Sequence, residues 1–123
     1  MSADALIAAF EAEKSRALGN SRRRDAGLYY TPPLIAARVL EIALRHGGAS
    51  PGRVLDPCAG AGAFMVAAAR AGLRDLHGLD LDPDALRVAR RALRLCGTEL
   101  PLPAGRDLCR GRFRPYDGSQ AQP

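Results

Sequence analysis

Asp56 closes the strand-like run Arg53-Val54-Leu55 and is followed by Pro57-Cys58-Ala59-Gly60-Ala61-Gly62-Ala63-Phe64. An acid at a strand tip, then a turn of small residues, suits recognition by the backbone. The carboxylate can take a positive or hydrogen-donating group. The glycines let the chain pass close to a ligand with no Cβ in the way. A second acid, Asp80, comes 24 residues after Asp56, at the tip of the neighbouring strand Asp75-Leu76-His77-Gly78-Leu79. In a parallel sheet, ligands lie beyond the C-terminal ends of the strands, and an acid at the second tip accepts hydrogen bonds from ribose hydroxyls. Leu81 would then lie under the adenine ring of such a ligand.

Three readings of the glycine turn compete with a purely structural one. A phosphate-gripping loop needs Gly-Lys-Ser/Thr, which this chain lacks. A dinucleotide fingerprint needs a third glycine, but Ala63, Phe64 and Met65 follow Gly62. The bulk of Phe64 and Met65 would crowd the helix end where a pyrophosphate sits, and Asp56 would repel it. The third reading is S-adenosylmethionine, which carries a sulfonium and a free amino group and no phosphate. It suits an acid before the turn best.

These residues need a frame to hold them. Ala3 to Leu18 has Leu6, Ile7 and Phe10 on one stripe and Gly19-Asn20 as a stop, which predicts a helix. A basic loop, Ser21-Arg22-Arg23-Arg24-Asp25-Ala26-Gly27, follows it. Pro32 and Pro33 force an extended Thr31 and then open a second helix that ends at Gly47-Gly48. Its apolar residues cover more than half its circumference, as on a helix packed against a sheet. Strand, helix, strand, helix follows, with Asp82 as N-cap and Pro83 at the first position of the last helix. That order predicts an α/β fold with a parallel sheet. A weak third strand within 98–109 is interrupted by Pro101 and Pro103.

The bulk numbers agree with one soluble domain. The 123 residues are 47% hydrophobic and 25% charged. No apolar run approaches the ~20 residues of a membrane span, so no membrane partner is expected. The N-terminus does not read as a secretory signal, and Cys58, Cys96 and Cys109 have no metal-ligand spacing. They read as reduced thiols in a cytoplasmic protein, without a metal site. Net charge is +5 and the pI about 9.7. That is compatible with a polyanionic partner, and equally with arginines spread over solvated faces.

Leu28-Tyr29-Tyr30-Thr31-Pro32-Pro33, the Asp56 loop and Gly78-Leu79-Asp80-Leu81-Asp82 occur in an order and at spacings that resemble the N6-adenine DNA methyltransferases of restriction-modification systems. The likeness covers roughly Gly27 to Asp107. It implies a Rossmann-like class I methyltransferase fold with an incomplete parallel sheet and flanking helices, bound to S-adenosyl-L-methionine. By the resemblance, Tyr30, Thr31 and Pro32 close over the methionine end. Asp56, Pro57, Ala59, Gly60 and Gly62 surround the amino-acid moiety, with Phe64 nearby. Asp80 takes the ribose, Leu81 the adenine, and Asp107 the adenine amino group. Double-stranded DNA is the implied substrate. The expected division is 1–26 (helix and basic loop), 27–108 (partial methyltransferase domain, by the resemblance) and 109–123 (a tail without periodicity, expected to be disordered).

Plainer roles stand beside these. Tyr29 and Tyr30 can cap the core, Asp107 can be a loop acid, and Cys58 is a small residue in a tight turn. His77 reads as packing, and Arg22 to Arg24 as a solvated loop or a DNA phosphate contact. The family's Asn-Pro-Pro-Tyr motif, which holds the flipped adenine, is absent; Asn20 is the sole Asn. The family's sheet of about seven strands exceeds the two clear strands legible here. We therefore expect an N-terminal, cofactor-binding piece that by itself binds the cofactor weakly and transfers no methyl group. Alternatives are a subunit completed by a separate chain carrying the catalytic motif, or a methyltransferase acting on RNA or protein.

Overall fold

In the computed structural model, residues 1–25, 30–47 and 52–98 are described, and for 20–25 the backbone alone. The weak third strand, the tail, Asp107, Cys109 and Tyr29 lie outside the described residues, as do the side chains of Arg22 to Arg24. Among the described residues, four helices and two strands follow in the order α1 (Ala3–Asp25), α2 (Pro33–His46), β1 (Val54–Asp56), α3 (Ala63–Arg70), β2 (Leu76–Gly78) and α4 (Pro83–Leu95).

Local signals explain most boundaries. Ser2 caps α1, its Oγ accepting the Ala5 N–H at 3.1 Å. Pro33 opens α2, and the Gly47 N–H closes it on the Ala43 carbonyl at 2.9 Å. Asp82 caps α4, accepting the Asp84 N–H at 2.9 Å, with Pro83 beside it. The stop expected at Gly19 is a break rather than an end. Gly19 leaves helical geometry at φ 66° and ψ 168°, a region held almost entirely by glycine, and the helix resumes to Asp25. The segment expected as a basic loop is therefore helical through Asp25.

β1 and β2 pair in parallel, with Val54 opposite Leu76, Leu55 opposite His77 and Asp56 opposite Gly78. The result is an α/β arrangement with a two-stranded parallel sheet. Side chains alternate across it. Val54 and Leu76 turn to the core, while Leu55 is 58% exposed. β1 is thus covered on one face among the described residues.

α3 lies at the centre, packed against α1, α2, α4 and β2. Its Val66, with Leu93 of α4, is the largest side chain buried completely. Around them pack Ala3 and Ile7 of α1, Met65, Ala68 and Ala69 of α3, and Leu76. Alanine dominates, so the helices approach closely. α2 departs from its expected role. Only Ala36 is buried, and Leu34, Ile35, Val39 and Ile42 are exposed. α2 meets α3 through Ala36 and the half-buried Leu40, and its exposed apolar residues lie uncovered among the described residues. No helix among the described residues is long and apolar enough to cross a membrane.

Candidate functional site

Parallel pairing brings the ends of β1 and β2 side by side, and the chain beyond them is stitched together by its own backbone. The Leu79 N–H donates to the Asp56 carbonyl at 2.9 Å, and the Ala59 N–H to the Leu79 carbonyl at 2.8 Å. Gly62 then donates to the Ala59 carbonyl at 2.9 Å, and its own carbonyl accepts the Val66 N–H at 2.8 Å, starting α3. Pro57 and Cys58 are exposed and Ala59 is buried.

Asp80 joins the two halves of this rim. Its Oδ2 accepts the Gly60 N–H at 2.7 Å, and its Oδ1 accepts the Asp82 N–H at 2.9 Å. One carboxylate thus fixes both the glycine turn and the entry to α4. Each such bond carries charge assistance, worth about 1.5–3 kcal/mol. Leu81, next in sequence, is 81% exposed. A large apolar side chain left bare beside a tethered acid offers a flat surface at the strand tips.

The two glycines do different work. Gly60 has φ +53°, and a Cβ built there meets nothing within 4 Å, so its face is open. Gly62 has φ +97°, and a Cβ there would lie 2.9 Å from the Ala89 Cβ. Its glycine requirement comes from the packing of α3 on α4. Gly78 has a similar constraint beneath the loop, where a Cβ would stand 2.9 Å from the Ala59 Cβ.

Asp56 is half satisfied. Its Oδ1 accepts the Cys58 N–H at 3.0 Å, while its Oδ2 is buried with no hydrogen-bond partner. A buried acceptor without a partner costs about 1–3 kcal/mol. Burial, with the nearby Asp80 charge, raises the Asp56 carboxyl above the ordinary carboxylate range; the Cys58 N–H only partly opposes this. The folded chain therefore holds this proton more tightly than the unfolded chain does. At neutral pH the ionised Asp56 opposes folding, and that opposition fades as pH falls through its raised pKa. Asp56→Asn is expected to raise the thermal midpoint at neutral pH by a few degrees. The gap to wild type should narrow on acidification, as read by thermal melts across pH. A lowered midpoint at neutral pH would contradict this reading.

Tyr30, Thr31 and Pro32 lie at the start of α2. Tyr30 and Thr31 are half-buried and Pro32 is exposed. Tyr30 packs against the core and lines a cleft of about 60 Å³ with Pro33, Ala63 and Arg70. Burial, with the charges of Asp4 and Glu11, raises its phenol pKa. Ligand pockets run to ~300–1,000 Å³, so this cleft is no cofactor chamber. It does bring Tyr30 to the N-terminal end of α3, next to the turn. Phe64 is half-buried in the first turn of α3.

His77 Nε2 lies 2.6 Å from Asp75 Oδ1. Arg53 is 3.0 Å from Asp75 Oδ2 and, with His77, lowers the Asp75 carboxyl. His77 is thus engaged on the sheet, away from the tips. Sequence reasoning missed the bond from Asp80 to Gly60, and also the ion pair between Lys14 and Asp82, 3.0 Å across. The Asp-x-Asp-Pro pattern signals a helix cap. Nothing local signals what that cap meets on another helix.

A family model described as N-6 DNA Methylase matches residues 4–102. The Type II methyltransferase M.VspI of Vibrio sp. (strain 343) is 34% identical over 83 residues, which is 65% of this chain and 20% of that protein. A ribosomal protein L11 methyltransferase of Geobacter sulfurreducens is 46% identical over 52 residues, 42% of this chain and 17% of that one. Its counterpart in Geobacter sp. (strain M21) is 42% identical over the same length. The chain thus spans about a fifth of the length of these curated relatives. No solved structure matches it significantly.

Proposed function

The chain belongs to the N-6 DNA methylase family, and from that premise we propose that it forms the S-adenosyl-L-methionine-binding part of an adenine-N6 DNA methyltransferase, on a Rossmann-like sheet. Membership implies a methyl donor and a DNA substrate. The observation that carries the finer reading is the unpartnered Asp56 Oδ2 at the head of the turn whose Gly60 presents an open face. A ligand's ammonium group there satisfies the orphaned acceptor and neutralises a charge the fold tolerates poorly. A phosphate does neither.

On this reading Asp56 takes the amino group, and the Pro57, Ala59, Gly60 and Gly62 backbone lies along the amino-acid moiety with Phe64 nearby. Asp80 keeps lone pairs free for ribose hydroxyls after its two backbone bonds. Leu81 supports the adenine, and Tyr30, Thr31 and Pro32 flank the methionine end. Asp107 is proposed for the adenine amino group. When bound, the cofactor supplies an electrophilic methyl on its sulfonium; these residues hold and orient it. The Asn-Pro-Pro-Tyr motif is not among the 123 residues, so the groups that grip the target adenine lie on other sequence, continuous with this chain or on a partner.

DNA is favoured over a protein substrate because the family match runs over residues 4–102, while the L11 methyltransferase matches cover 52 residues each. Calorimetric titration with S-adenosylmethionine, with NAD in parallel, tests the proposal. Saturable binding of S-adenosylmethionine alone supports it. Preference for NAD, or no binding of either, sinks it.

A further inference from the structure

We propose that Lys14, on α1, is a positioning residue for the cofactor site, acting through Asp82 on the Asp80 carboxylate. The inference rests on the role given to Asp80 above. Three polar contacts run from α1 to the glycine turn, and a fourth ties the middle of the series to the start of α4. Lys14 Nζ lies 3.0 Å from Asp82 Oδ2. Asp82 Oδ1 accepts the Asp84 N–H at 2.9 Å. The Asp82 N–H donates to Asp80 Oδ1 at 2.9 Å, and the Gly60 N–H donates to Asp80 Oδ2 at 2.7 Å.

Each oxygen in this series has a separate task. The plane of the Asp80 carboxylate is set by two N–H groups, one of them on Asp82. The Asp82 backbone is set in turn by its side chain, held at one oxygen by the α4 cap and at the other by Lys14. An ammonium at that point also offsets three acids, Asp80, Asp82 and Asp84, crowded within five residues. The pair registers in the charges themselves. Burial pushes the Asp82 carboxyl up, but Lys14 and the backbone amides outweigh it and hold it low; the Asp82 hydrogen bond raises Lys14.

The lysine is itself anchored. Its ammonium sits 5.5 Å from the centre of the Phe10 ring. α1 is fixed by the burial of Ala3 and Ile7 and by Asp4, 2.9 Å from Arg70 at the end of α3. α1 therefore straps α3 and α4 together and delivers one charge to the cofactor rim. Lys14 is the only lysine in the chain.

A purely structural ion pair and a positioning one are separable. The Lys14 and Asp82 side chains are 34% and 23% exposed, so the pair adds little to global stability. The test uses the full chain labelled with ¹⁵N, read at the Gly60 amide, with S-adenosylmethionine affinity measured alongside. Lys14→Met is expected to move the Gly60 amide upfield, as its bond to Asp80 loosens, and to weaken affinity roughly three- to fivefold. The melting temperature should stay within a few degrees. Lys14→Arg should restore both readings, and the Lys14→Met effect should shrink in about 1 M salt. An unmoved Gly60 amide, or a loss of affinity that Lys14→Arg leaves unrepaired, overturns the proposal. If the wild-type chain binds no S-adenosylmethionine, the cofactor reading fails. The Gly60 amide then decides the relay alone: a shift supports it and no shift overturns it.

Discussion

Asp80→Ala weakens S-adenosylmethionine binding by roughly a hundredfold and, with both backbone bonds lost, lowers the melting temperature of the free protein by about ten degrees or more. Both effects come from one carboxylate with three loads. It holds the Gly60 N–H at 2.7 Å and the Asp82 N–H at 2.9 Å, and it is proposed to take the ribose hydroxyls. Losing one charge-assisted bond costs about 1.5–3 kcal/mol, and a hundredfold in affinity is about 2.7 kcal/mol. A chain of this size loses roughly 2–8 °C per kcal/mol. Asp80→Asn keeps one acceptor oxygen and should fall between, because its amide must face one of the two N–H groups. Calorimetry and thermal melts on the same preparations read both quantities. An Asp80→Ala protein that melts low yet binds normally would remove Asp80 from the ligand's contacts.

Gly62→Ala is the more damaging change to the fold. At φ +97° an alanine sits in left-handed backbone, at about 1–3 kcal/mol. Its methyl would also stand 2.9 Å from the Ala89 Cβ and 3.1 Å from the Ala89 Cα. The second contact is with backbone, so α3 and α4 must move apart and open the alanine-rich core between them. We expect a total loss of about 3 kcal/mol or more. Gly60→Ala is the control: its φ of +53° carries conformational strain, but its methyl meets nothing within 4 Å. Chemical denaturation should rank Gly62→Ala far below Gly60→Ala, while binding should suffer in Gly60→Ala, whose methyl stands on the open face. Equal stability of the two variants would contradict the packing assigned to Gly62.

The sequence was legible where structure is local. Pro33, Asp82 and Pro83 mark helix starts that depend on the first turn alone, and Gly47 marks an end that depends on the last. Asp56 and Asp80 were found because period and spacing locate strand tips. The distinct duties of Gly60 and Gly62 were not legible, since the difference lies in Ala89, 27 residues further on, which approaches one and not the other. Lys14 was invisible for the same reason: its partner Asp82 is 68 residues away on a different helix. The exposed face of α2 was misjudged because an apolar stripe states that a helix can be covered, not that a covering layer lies among the described residues. At Gly19 a glycine read as a stop turned out to be a joint, because the residues beyond it can start helix again.

The reading stands or falls on where S-adenosylmethionine touches the chain. Titrating it into the ¹⁵N-labelled protein and following every backbone amide tests this most directly. The expected result is saturable shifts concentrated at Cys58, Ala59, Gly60 and Gly62 and at Asp80 and Leu81, with the α2 residues Val39 to Leu44 unmoved. Saturable shifts centred elsewhere, or no shift at the glycine turn, would contradict it.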